Sequence, residues 1–181
     1  MSEDKSQQAA RVPHILAIVV LLSSQLLLAA STGRPAAKPA AAVPGSVAIV
    51  PFTFVGRVDD DLTGAFHERI TALKTGTSIV DDAAFASHLG KGVNYRSDAP
   101  LGALLRAAKA TKAELLILGQ ASSYKFMDAP GVSLRVRVID VGTGGELHRN
   151  LSKETAWTLP GAKREAGDTA AKQVVKQWRA E

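Results

Sequence analysis

Ser122-Ser123-Tyr124-Lys125 has the S-x-x-K spacing of an acyl-transfer serine and its lysine partner, and Lys74-Thr75-Gly76 has the K-T-G that accompanies it in penicillin-binding enzymes. That chemistry places S-x-x-K first, an S-x-N between the motifs, and the serine at a helix start. Here the order is reversed, no S-x-N intervenes, and Ser122 falls in a strand-like run. Ser2-Glu3-Asp4-Lys5 fits the same spacing, so the pattern arises cheaply and Ser122 is read as a strand residue.

Asp59, Asp60 and Asp61 are contiguous, whereas an oxygen-ligand loop for a cation spaces its ligands. They are read as carboxylates at a helix N-terminus, where they cap free N–H groups and complement the helix dipole. His14, His67, His88 and His148 form no H-E-x-x-H or H-x-H pair, and the chain has no cysteine. Gly142-Thr143-Gly144-Gly145 joins two strands and opens no helix, so it is a hairpin turn and not a phosphate cradle. No catalytic residue, cofactor or metal is expected. What remains is a candidate partner-binding patch: Arg135 and Arg137 on one strand face, with Tyr124, Lys125 and Phe126 nearby. An ordinary solvated sheet face is the competing reading.

The elements that position these residues follow from hydrophobic periodicity. Val47 to Val55 reads as a buried strand that Pro51 ends or brings to an edge. Asp59 then heads a helix with Leu62, Phe66, Ile70 and Leu73, closed by Gly76. Thr77 to Val80 is a short strand, and Asp81 caps a second helix through Phe85 and Leu89. Lys91 to Ala99 is a polar loop, and Pro100 starts a third helix through Leu104, Leu105 and Ala108. Glu114 to Phe126 is a long strand, apolar on both faces at Leu115–Leu118. Val132, Leu134, Val136 and Val138 alternate with Ser133, Arg135 and Arg137 as in a half-exposed strand. Glu146 to Trp157 returns as a less regular strand. The last helix, from about Gly161 to Arg179, carries Ala166, Ala170, Val174 and Trp178 every fourth residue. The order β-α-β-α-α-β-β-β-α defines an α/β (α+β) domain, a small mixed sheet flanked by helices.

The chain has 181 residues with a net charge of +5 and only 5% aromatic residues. Two of those five charges lie before Pro44, and the rest are interspersed with acidic residues. A nucleic-acid surface concentrates its charge and supplies stacking aromatics, so no nucleic-acid partner is expected. Ile15 to Ala30 is an apolar run broken by Ser23, Ser24 and Gln25, fitting a cleaved signal and a retained anchor alike. Leu28-Ala29-Ala30-Ser31 has the form of a lipoprotein box with serine in place of the lipidated cysteine. Gly33 to Gly45, with Pro35, Pro39 and Pro44 spaced through alanine, is an extended spacer. The expected organisation is residues 1–31 as signal or membrane anchor, 32–45 as Pro/Ala-rich linker, and 46–181 as the α/β domain.

Four motifs in order resemble an envelope family, the CsgG, TolB N-terminal domain and LpoB group. They are Val47-Ala48-Ile49-Val50-Pro51-Phe52, Ile79-Val80-Asp81, Ala113-Glu114-Leu115-Leu116-Ile117-Leu118-Gly119, and Val138-Ile139-Asp140-Val141-Gly142-Thr143-Gly144. The resemblance covers roughly Ser46 to Trp157. It implies a TolB N-terminal-like fold with no catalytic residues to transfer. It further implies a periplasm-facing envelope protein that binds and regulates a larger assembly. The expected partner is a peptidoglycan synthase, the activators of which carry a Pro-rich linker before the module. The alternative is an accessory part of a CsgG-type secretion or appendage complex, with self-association.

Overall fold

In the computed structural model, residues 43–73 and 75–179 are described. The apolar N-terminal segment, most of the spacer and Lys74 lie outside them. Among the described residues, no helix is long and apolar enough to cross a membrane.

The elements run β1 (Ser46–Ile49), β2 (Thr53–Phe54), β3 (Arg57–Val58), α1 (Asp60–Ala72), β4 (Ser78–Ile79), α2 (Asp82–Ser87), α3 (Leu101–Ala110), β5 (Leu115–Phe126), β6 (Ala129–Asp140), β7 (Glu146–Thr155) and α4 (Leu159–Trp178). This is the expected order, with the first strand divided in two and a short β3 added. The sheet is mixed. β4, β1 and β5 run parallel, β2 continues beside β5 further along, and β5, β6 and β7 form an antiparallel meander.

Pro51 explains the division of the first strand. It has no N–H to donate to the ladder, so pairing stops after Val50 donates to the Ile117 carbonyl at 3.1 Å. Ser97, from the polar loop before α3, fills the gap. Its hydroxyl donates to the Val50 carbonyl at 3.1 Å and accepts the Gly119 N–H at 3.0 Å, while its own N–H donates to the Pro51 carbonyl at 2.9 Å. Beside this break Phe52 turns inward, fully buried, with its ring 5.0 Å from Phe66.

Two layers cover the sheet unequally. On one face α1 and α4 enclose the larger core: Val47, Ile117, Val132, Leu134, Val136 and Val138 meet Leu62, Phe66, Ile70 and the Ala162, Ala166, Ala170, Val174, Trp178 stripe. Small residues on α4 let the two helices approach closely, and a Cβ at Gly167 would lie 3.0 Å from Ala65. Asp59 caps α1, accepting the Leu62 N–H at 3.0 Å. Its other oxygen pairs with Lys163 of α4, which lies over the Phe54 ring, and both charged side chains are largely buried. On the other face α2 and α3 cover only the parallel half, through Ala48, Val50, Leu116, Leu118, Ile139, Phe85, Leu104 and Ala108.

Several boundaries shift for local reasons. Helix α1 ends one residue before Leu73, and Gly76 sits in the following turn with φ +76°. Helix α2 stops at Ser87 with His88 as its C-cap, leaving Leu89 outside. Helix α4 starts at Leu159 because the Thr158 hydroxyl accepts the Gly161 N–H and Pro160 suits the first turn.

Two substitutions test this architecture. An added Cβ at Gly119 would collide with the Phe52 ring, which is boxed in by Phe66. Gly119→Ala should lower stability by about 1–3 kcal/mol in urea unfolding; a neutral result would mean Phe52 is not held there. Lys163→Ala should cost about 3–5 kcal/mol, because it strands the buried Asp59 carboxylate. A loss far below 1 kcal/mol would mean that the pair is solvated.

Candidate functional site

The antiparallel register sorts the candidate residues by face. In such a ladder, directly opposed residues point the same way and successive ones alternate. Leu118, Arg137 and Arg149 form one row across β5, β6 and β7; Gln120, Arg135 and Leu151 form the next. Ser122, Ser133 and Lys153 follow, then Tyr124, Gly131 and Thr155. Beyond Leu118 these rows belong to the half of the face that α2 and α3 leave open.

Arg135 and Arg137 are brought together on this open face. Tyr124 and Phe126 share it, but Tyr124 stands two rows beyond Arg135, about 13 Å along the strand. The Tyr124 ring lies over Gly131, where an added Cβ would stand 2.5 Å from it. Lys125 is on the opposite face, paired with Asp128 at 3.6 Å. The expected loop over Met127–Gly131 is a two-residue turn, Met127 and Asp128, with β6 beginning at Ala129. The same alternation separates Ser122 from Lys125, so the S-x-x-K residues diverge to opposite sides of β5.

Electrostatics on the open face centre on Glu146. It accepts from Arg149 at 2.8 and 3.0 Å and from Arg137 at 2.6 Å. Those hydrogen bonds, Arg149's the larger and Arg137's next, hold its carboxyl below the usual glutamate range. Arg135 and Lys153 are in no ion pair among the described residues. Among the described residues these four cations share the face with Glu146 and with Asp98, which is itself paired with Arg96. Arg135 borders a shallow cavity of about 320 Å³ lined also by Asp98, Thr53, Gln120, Ser122, Ser133 and Leu151. At the adjoining turn, Asp140 accepts the Thr143 N–H and hydroxyl, which lowers its pKa.

Sequence reading missed three features here. The return strand expected from Glu146 is present as β7, but its exposed Arg149, Leu151 and Lys153, at the sheet border, were not singled out. Trp157, just beyond it, is 99% exposed. Glu146 links two arginines that are far from it in strand alternation, because a bulge between Val138 and Ile139 shifts the register. Only the repeated basic residues of β7 offered a signal. Among the described residues, no group of three or more His, Asp or Glu stands where it could hold a metal ion.

No family model matches the sequence, and no curated protein matches it. Among solved structures the chain is similar to a PelC dodecamer from Paraburkholderia phytofirmans, with TM-score 0.50 and 16% identity, covering 79% of this chain and 94% of that one. It is also similar to the LpoB C-terminal domain from Escherichia coli, with TM-score 0.46 and 13% identity over 63% of this chain and 85% of that one. TolB from Acinetobacter baumannii gives TM-score 0.46 and 13% identity over 74% of this chain and 28% of that one. The resemblance read from the sequence holds as a distant structural match: the chain shares the CsgG-like mixed α/β fold with that PelC structure. At these identities the likeness extends to the fold alone.

Because Glu146 titrates lower folded than unfolded, its contribution to stability is present above its unfolded pKa of about 4.3 and lost as pH falls through the folded value. Glu146→Gln should therefore lower the urea midpoint slightly at pH 7, and the gap should narrow progressively as pH falls below about 4. A gap unchanged between pH 7 and pH 3 would contradict the ionic account.

Proposed function

We propose that the chain is a non-catalytic cell-envelope protein that binds and regulates a larger assembly, a peptidoglycan synthase of the penicillin-binding type being the expected partner. The observation that carries this reading is the open half-face of the sheet, where Arg135, Arg137, Arg149 and Lys153 meet Gln120, Ser122, Ser133 and Leu151 and no helix among the described residues lies above them. Tyr124 and Phe126 extend the same face towards the hairpin tip, and Lys125 contributes only from the far side. In this reading residues 1–31 deliver or anchor the chain, residues 32–45 space it from the membrane, and residues 46–181 do the binding on the periplasmic side. Regulation requires that the module bind two states of its partner with different affinity.

A second reading is self-assembly into a ring serving a secretion or surface-appendage complex. The specific observation in its favour is the likeness to PelC, whose structure is a dodecamer.

Affinity capture of envelope proteins with the tagged full chain, read by mass spectrometry, separates the two. Enrichment of a peptidoglycan synthase, with a monomeric chain by light scattering, is the expected result. Recovery of the chain alone as a large oligomer, or of secretion components, would overturn the activator reading and favour the ring.

A further inference from the structure

We propose that β7 is a docking edge for an extended acidic segment of the partner, which adds to the sheet as a further strand. This rests on the reading that the chain binds an envelope protein, and it names where and by what chemistry.

The first observation is the edge itself. Among the described residues β7 pairs with β6 alone, so from Arg149 to Thr155 one row of its backbone groups has no strand partner there. Such an edge is a template for β-addition, in which main-chain hydrogen bonds supply affinity and alternate side chains supply selectivity. The strand is held straight from behind: the Ser152 hydroxyl donates to the Ala166 carbonyl at 3.1 Å, and the Gln177 amide donates to Asn150 at 2.9 Å. An incoming strand would meet an edge already ordered, which lowers the entropic cost of binding.

Charge is the second, independent observation. The residues of β7 that face outward on the open side are Arg149, Leu151 and Lys153, all exposed. Arg135 lies in the row behind Leu151; Glu146 is paired with Arg137 and Arg149, and Asp98, at the cavity beside Arg135, is already neutralised by Arg96. An added strand places alternate side chains directly beside those of β7, where opposite charges attract and like charges repel. The complementary sequence is therefore acid-x-apolar-x-acid, with the apolar residue beside Leu151.

The same geometry disfavours a second copy of this chain. Two β7 edges paired antiparallel about Leu151 would set Arg149 against Lys153 twice. Lysine on a free edge commonly blocks unwanted pairing; here it rejects a basic neighbour while admitting an acidic one.

The test uses the purified full chain and a fluorescent peptide, Thr-Glu-Val-Leu-Val-Glu-Thr, followed by anisotropy. Binding should weaken at least about ten-fold with Arg149→Glu/Lys153→Glu. It should also be lost when alternate backbone nitrogens of the peptide are methylated, and when its glutamates become lysines. Absence of binding, binding indifferent to the double substitution, or binding that survives backbone methylation would each overturn the proposal. The double variant is also carried through the envelope capture. If the wild-type chain captures a synthase and the variant does so equally, the edge proposal fails while the activator reading stands. If neither captures one, the reading itself fails, and the peptide result judges the edge alone. Circular dichroism of the variant, expected to match wild type because both side chains are exposed, guards against misfolding as the cause.

Discussion

Twelve consecutive cross-strand pairs join β5 to β6, from Leu115 opposite Asp140 to Phe126 opposite Ala129, and every other element depends on that ladder. At about 3.3 Å per residue it spans on the order of 36 Å, far longer than β1, β2 or β4 beside it. The parallel strands therefore occupy only its first part, and the two short helices that follow them can cover only that part. On the opposite face the twenty-residue α4 and α1 cover β5 as far as Ala121 and β6 from Val132 to Val138. Among the described residues, unequal strand lengths thus leave one face covered over most of its length and the other only half covered.

The break at Pro51 lets a short parallel strand give way to a second without leaving polar groups buried and unpaired. A proline removes a donor, a serine from a distant loop supplies both a donor and an acceptor, and a glycine makes room for a phenylalanine. None of these residues touches the open face, yet they fix β5 against β1 and β2 and so fix the rows in which Arg135 and Arg137 stand. Asp59 and Lys163 act similarly between layers, tying the start of α1 to α4. Breaking either device is expected to cost stability without altering the chemistry of the open face.

Much of this was legible in the sequence where local chemistry is decisive. Asp59 before a helical stripe, Pro100 at a helix start, and the strict alternation from Val132 to Val138 each pointed to the element observed. The order of four motifs pointed to the fold. The site was only half legible, because a face is defined by register and register is a property of the pair. Arg135 and Arg137, two apart on one strand, could be placed together; Lys125 could not be separated from Tyr124 and Phe126 without counting alternation through β5. The role of Glu146 depends on a bulge with no sequence mark. The openness of β7 depends on what does not cover it, which no local pattern encodes.

Hydrogen exchange on the full chain, free and bound to the assembly it captures from the envelope, tests most directly whether the open half-face is the binding surface. The account predicts that the bound chain gains protection along β7 and across Gly131 to Arg137, while the outward surfaces of α1 and α4 exchange as before. Protection gained only on those helices, or only on α2 and α3, would contradict it.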